Sequence, residues 1–157
     1  MFLNAPSDAL PDDVYRIISN IPFMGGFTED ELTRIIACFE RASASSGDKI
    51  ICRGEQPSHL YVIISGRVEL RIVDGDSDIH KRTFDSGDHF GEVGMLALVN
   101  DTASFIALED CELLAFPIRA LNELRKGSPD LFGRVVLNLA RDLARKVQYS
   151  DDLMLRG

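Results

Sequence analysis

The sequence has 157 residues, 45% of them hydrophobic and 27% charged, a balance typical of a single soluble globular domain. Its net charge of −8 argues against the clustered lysines and arginines that duplex binding requires, so no nucleic-acid partner is expected. No apolar run reaches the ~18 residues that span a bilayer, the N-terminus lacks the features of a signal peptide, and three widely spaced cysteines fit a reducing compartment. We therefore expect a cytoplasmic protein without a membrane partner.

The first predicted elements are helices. Residues 1–12 are rich in proline and aspartate, and we expect them to be flexible. From Val14 to Ile21 the apolar residues follow the i, i+3, i+4, i+7 spacing of an amphipathic helix. Thr28 and Glu31 have the spacing of a capping box, which opens a second helix. Residues 13–45 are therefore assigned to helices, at the start of a single domain over 13–157.

In residues 46–116 the apolar residues recur with a period of two. The segment is also rich in β-branched residues between glycine turns, which is typical of short strands. A hairpin turn is predicted at Asp74–Asp76. The predicted strands lie within residues 47–55, 60–72, 79–84, 103–108 and 112–116. Together they predict a mainly β fold, an antiparallel jelly-roll barrel flanked by N-terminal helices and a long C-terminal helix.

Residues 117–155 predict the C-terminal helices, the longer one beginning near Ser128 and Pro129. An apolar stripe on this helix can serve as core or as an interface, and the sequence leaves both open. The stripe consists of Phe132, Val136, Leu139, Leu143 and Val147, widened by Leu131, Val135 and Leu153. Arg141, Arg145 and Lys146 are expected on the outer faces.

The most informative segment is Gly87–Ala107. Its glycines interrupt an apolar run and allow the backbone to approach a ligand with its N–H groups free for an anion. Glu92 lies between two of these glycines and is suited to accept a hydrogen bond from a sugar hydroxyl. A single helical turn is predicted over Val93–Leu98, with its N-terminus facing the same anion.

The order of Gly87–Glu92 (GDHFGE), an apolar turn and a small-residue strand entry resembles the phosphate-binding cassette of cyclic nucleotide-binding domains. These are the sensor domains of the catabolite activator protein, of kinase regulatory subunits and of cyclic-nucleotide-gated channels. The resemblance implies a cAMP or cGMP site, with no other cofactor. Its implied residues are Phe90, Gly91, Glu92, Val93, Thr102 and Ala103. The arginine that pairs the cyclic phosphate in the family maps onto Thr102 and is absent.

The resemblance extends over about residues 22–149. It places Arg82 or its neighbour Lys81 on the base side of the pocket, where one of them could partly replace the missing arginine. It also implies a homodimer through the last helix. A transcription factor of this type would continue into a winged helix-turn-helix, whereas this sequence stops at Gly157, so direct DNA binding is not expected.

Three function classes remain open. The first is a sensor or regulatory domain that binds cAMP or cGMP weakly. The second is a ligand-free domain that serves as an interaction or dimerisation module for an unknown protein partner. The third is a cupin-like metalloenzyme, but His59, His80 and His89 contain no His-x-His pair, so we expect neither a metal site nor an enzyme.

Overall fold

The computed structural model describes residues 2–6, 11–74 and 76–156, and it consists of two antiparallel sheets flanked by helices. The helices are α1 (Asp12–Ser19), α2 (Glu29–Ile36), α3 (Glu92–Ala97), α4 (Ile118–Gly127) and α5 (Pro129–Arg156), with a 3₁₀ turn at Pro22–Met24. The strands are β1 (Phe2–Pro6), β2 (Glu40–Ala44), β3 (Lys49–Ile51), β4 (His59–Ser65), β5 (Val68–Asp74), β6 (Ser77–Phe84), β7 (His89–Phe90), β8 (Ser104–Ala107) and β9 (Cys111–Pro117).

The strand order is β1-β2-β9-β4-β7 in one sheet and β3-β8-β5-β6 in the other. Every described pair of strands is antiparallel. The predicted fold class is therefore confirmed, although the roll consists of two open sheets and not of a closed barrel. The β5–β6 pairing also confirms the hairpin at Asp74–Asp76, whose central Gly75 lies outside the described residues.

Two apolar cores explain why β4 and β9 are hydrophobic on both faces. Successive side chains of a strand point to opposite sides, so Leu60 and Val62 of β4 pack toward the helices while Tyr61 and Ile63 pack between the sheets. The helical core includes Ile18 of α1 and further residues of α2, α4 and α5. This packing holds α5 against the roll.

The N-terminal half differs from the sequence-based assignment in two places. Residues 2–6 were expected to be flexible but form β1, which pairs with β2. Residues 40–44 were assigned to helix but form β2, because Glu40, Ala42 and Ala44 alternate with exposed residues and point inward. The sheet therefore begins at Glu40, and β1 provides partners for backbone groups at what would otherwise be the edge of β2.

The predicted helices are otherwise where the sequence placed them. In the capping box of α2, Glu31 N donates to Thr28 Oγ1 over 3.2 Å and Thr28 N donates to Glu31 Oε1 over 3.0 Å. None of the helices in the described part of the chain has both the length and the apolar character to cross a membrane.

Candidate functional site

The glycine-rich segment that was predicted to face an anion is formed by β7, Gly91 and α3, and we call it the cradle. Two of its glycines have little space for a side chain. Gly91 has φ +95°, and a Cβ there would lie 2.6 Å from the backbone oxygen of His59. A Cβ on Gly94 would lie 2.6 Å from Asp101 Oδ1. A side chain at Gly91 would therefore force the backbone to move, whereas one at Gly94 would require the Asp101 side chain to shift. Gly87 also has a positive φ but faces open space, so it is needed only for the turn.

A cavity of about 470 Å³ opens between α3, the sheet that contains β5, β6 and β8, and the C-terminal half of α5. This volume lies within the range of about 300–1,000 Å³ typical of small-molecule sites. All the site residues proposed from the sequence line it, namely Arg82, Phe90, Gly91, Glu92, Val93, Thr102 and Ala103. The structure thus brings together residues that are up to 21 positions apart in the sequence.

One wall of the cavity is aromatic. Phe90 and Phe105 are stacked with their ring centroids 4.8 Å apart, and Phe84 lies 5.8–5.9 Å from both. The Arg82 guanidinium lies 4.6 Å from the centroid of the Phe84 ring, which is the geometry of a cation–π contact. This wall offers flat apolar surfaces and one planar cation. The side chain of Lys81, the neighbour considered with Arg82, lies outside the described part.

Glu92 belongs to a buried ion-pair network that also includes His89, Asp142 and Lys146. Lys146 Nζ donates to Glu92 Oε1 over 3.1 Å and lies 3.2 Å from Asp142 Oδ2. His89 lies between the two carboxylates, with Nδ1 3.3 Å from Glu92 Oε2 and Nε2 3.2 Å from Asp142 Oδ2. The contacts of His89 have ion-pair distances without hydrogen-bond alignment. The network joins the cradle to α5.

Neither this network nor the inward position of Lys146 was expected from the sequence. Lys146 was expected on an outer face of the helix but points inward to Glu92. The available signal was Asp142, a carboxylate inside the apolar stripe between Leu139 and Leu143, followed by a lysine at i+4. Gly94, one of the glycines of the predicted phosphate-binding segment, also lines the cavity. The lining residues that the sequence did not assign to the site are Leu70, Phe84, Val99, Asn100, Asp101, Phe105, Leu143, Val147, Ser150 and Asp151.

The same residues are the candidates for a metal site. Among the described residues, His89, Glu92 and Asp142 form the one group whose potential ligand atoms lie within 4.8 Å of one another. The Lys146 ammonium lies within 3.2 Å of both carboxylates and supplies the positive charge that a metal would bring. We therefore assign the cluster as an ion-pair network.

The electrostatics of Glu92 reflect this environment. Burial raises the pKa of Glu92, but the close contact with His89 and the charges of His89 and Lys146 outweigh it and lower the pKa to about 2. Glu92 is therefore a carboxylate at neutral pH. Asp101, at the edge of the cradle, has its pKa raised by burial and by the charge of Glu55.

This shift predicts a pH dependence of stability. Because the pKa of Glu92 is lowered on folding from its usual value of 4.5, its contribution is complete above pH ~4.5 and is lost as the pH falls toward ~2. The expected loss is about 3 kcal/mol. Urea unfolding of the wild type and of Glu92→Gln should give stabilities that differ at pH ~6 and converge near pH ~2. A constant difference between them would contradict the assignment.

The position corresponding to the family's arginine is at the rim of the cavity. Thr102 is exposed there, beside the buried Ala103. Of the described lining residues, the cationic ones are Arg82 and Lys146, and Lys146 is paired with Glu92 and Asp142. A phosphate near Thr102 would therefore meet a hydroxyl and backbone groups at the place where the family has an arginine.

The comparisons with known proteins identify the family. A model of the cyclic nucleotide-binding domain matches residues 41–128, and the chain therefore belongs to this family of regulatory domains. The cyclic AMP receptor protein of Thermus thermophilus is 31% identical to the chain over 134 residues, which are 83% of this chain and 59% of that protein.

Solved structures of similar proteins support the same family assignment. The catabolite activator protein of Thermus thermophilus is 30% identical with a TM-score of 0.74, over 85% of this chain and 62% of that one. A triple variant of the regulatory subunit of a cAMP-independent protein kinase A from Trypanosoma brucei, bound to cAMP in the A site, is 26% identical with a TM-score of 0.70, over 88% of this chain and 49% of that one. The chain thus spans less than two thirds of the length of each of these relatives, and 20% of another curated relative.

Proposed function

We propose that the chain is a regulatory domain that binds cAMP or cGMP in the cavity beside α3, with an affinity reduced by Thr102. The observation that carries this proposal is the open cavity of about 470 Å³ lined by every residue that the family motif implies. Glu92 would accept the ribose hydroxyl, and the backbone from Gly91 to Gly94 would face the phosphate. The aromatic wall and Arg82 would contact the base.

The expected affinity follows from the missing arginine. A bidentate arginine–phosphate pair is charge-assisted, and the loss of one partner costs ~2–5 kcal/mol, or roughly 30-fold to several-thousand-fold in affinity. A site that would bind in the micromolar range with the arginine would bind in the millimolar range without it. Such a domain would respond only to a high concentration of nucleotide.

The alternative is a ligand-free module that keeps the fold for interaction with another protein. Thr102 favours this alternative. The open cavity counts against it, because a domain that has lost its ligand gains stability by filling the space with its own side chains. Under either proposal the domain acts by binding and not by catalysis. We place it in the cytoplasm because its three cysteines are free, and we assign it no nucleic-acid or membrane partner.

Calorimetry with Glu92→Ala tests the first proposal. The variant should bind cAMP or cGMP at least roughly tenfold more weakly than the wild type, since a hydrogen bond to a charged group contributes ~1.5–3 kcal/mol. Glu112→Ala is the matched control, because Glu112 is exposed on β9 and lies outside the cavity. Equal affinities of the wild type and Glu92→Ala would remove Glu92 from the site.

We also propose a homodimer through α5, along a row of residues that shares only Val147 with the expected stripe. Leu131, Val135 and Leu139 are buried in the protomer, so this part of the predicted stripe is core. A second row of small and apolar residues is exposed with alternating spacings of four and three, the pattern of a coiled-coil seam. This seam consists of Gly133, Leu137, Ala140, Ala144 and Val147.

The seam gives a prediction for assembly. Leu137→Asp should weaken the dimer at least roughly a hundredfold, because a carboxylate would be buried at the symmetric interface, and it should leave the protomer folded because Leu137 is 47% exposed. Leu108→Asp, at an exposed leucine on the roll, is the control. Analytical ultracentrifugation distinguishes the states. A wild type that sediments as a monomer at tens of micromolar would contradict the dimer.

A further inference from the structure

Lys146 occupies a position between the ion-pair network and the cavity. Its side chain is 33% exposed and lines the cavity, while its ammonium contacts Glu92 and Asp142. An ammonium has three N–H donors. Among the contacts of the described residues, one N–H donates to Glu92 Oε1, whereas the ammonium lies 3.2 Å from Asp142 Oδ2 without hydrogen-bond alignment. Donor capacity therefore remains for a ligand in the cavity.

Glu92 also lines the cavity and keeps acceptor capacity. A carboxylate offers about four lone-pair sites, and the described contacts of Glu92 are Lys146 at Oε1 and His89 at Oε2. The cavity therefore presents an acceptor and a donor about 3.1 Å apart. A hydroxyl group can donate to one and accept from the other, because it combines one donor with two acceptor lone pairs.

We propose that Lys146 is a ligand-contacting residue which, together with Glu92, selects a ligand that carries a ribose 2′-hydroxyl. This inference rests on the proposed function and adds a specificity-determining residue from α5 to it. In the absence of the hydroxyl, Glu92 and Lys146 still satisfy each other. The discrimination against a 2′-deoxy ligand is therefore expected to be roughly ten- to a hundredfold, far below the ~10⁴-fold of a site whose polar groups would be left unpaired.

The test is a cycle of two ligands and two proteins, measured by NMR titration so that millimolar constants are accessible. Wild type and Lys146→Met are titrated with cAMP and with 2′-deoxy-cAMP. Lys146→Met should weaken the binding of cAMP at least roughly fivefold more than the binding of 2′-deoxy-cAMP, since only the first ligand loses a contact. Arg145→Met is the matched control, at a neighbouring exposed cation that does not line the cavity.

A second variant distinguishes the loss of a ligand contact from a loss of folding. Asp142→Asn combined with Lys146→Met removes one charge of each sign and leaves Glu92 paired with His89, and it should show the same preferential loss for cAMP. An equal loss for both ligands would give Lys146 a structural role only and overturn the inference while the proposed function stands. A wild type that binds neither ligand at millimolar concentration would overturn the proposed function and this inference with it.

Discussion

Replacement of Thr102 by arginine should tighten the binding of cAMP and cGMP at least roughly tenfold, with an upper bound set by the ~2–5 kcal/mol of a charge-assisted pair. Thr102 is exposed at the rim of an open cavity, so an arginine there can reach a bound phosphate without being buried alone. The adjacent Ala103 already provides the small neighbour that the family motif uses. Among the three substitutions of the trypanosomal variant bound to cAMP, one replaces a threonine by an arginine.

Calorimetry of Thr102→Arg with both nucleotides checks this expectation. Asn100→Arg is the control, because Asn100 is also exposed at the cavity and the variant adds the same charge at another place. A similar gain in both variants would indicate a general electrostatic effect. A folded Thr102→Arg protein that binds neither nucleotide at millimolar concentration would favour the interaction module.

Removal of His89 should lower the free energy of unfolding by about 3 kcal/mol. His89 is 6% exposed and contacts both buried carboxylates of the network, so His89→Leu leaves Glu92 and Asp142 with Lys146 as their common partner. The loss of one member of a buried ionic group typically costs ~3–5 kcal/mol. For a domain of this size the melting temperature should fall by roughly 6–12 °C.

His59→Leu is the matched control. His59 is half-buried, its Nδ1 lies 2.7 Å from the hydroxyl of the adjacent Ser58, and it contacts none of the carboxylates of the network. Its replacement should cost less than ~1 kcal/mol. Denaturant unfolding of both variants at neutral pH compares them. A loss for His89→Leu no larger than that for His59→Leu would show that the network contributes little to stability.

Much of the cradle could be predicted because its chemistry is local in the sequence. Gly91, Glu92 and Gly94 are close together along the chain, and the glycine requirement follows from backbone geometry over a few residues. The capping box of α2 is local for the same reason. The full set of seven candidate site residues needed the family motif as well, because Arg82 lies on β6 and Thr102 and Ala103 lie in the loop before β8.

The features that the sequence did not predict depend on contacts between elements that are far apart along the chain. The pairing of β1 with β2 joins residues about 40 positions apart, and nothing in the composition of the first residues indicates a strand. The broad stripe on α5 did not reveal which row faces the core, since this depends on the rotation of the helix against the roll. Leu139 is buried for that reason, Leu137 is exposed, and Lys146 meets Glu92.

The central claim, that the cavity beside α3 binds a cyclic nucleotide, is tested most directly by an NMR titration of the ¹⁵N-labelled wild type with cAMP and cGMP. We predict saturable shifts at the amides of Gly91, Gly94 and Ala103, with a dissociation constant that the loss of ~2–5 kcal/mol places in or near the millimolar range. Shifts that stay absent from these amides at millimolar nucleotide, or that arise only at residues outside the cavity, would contradict the account.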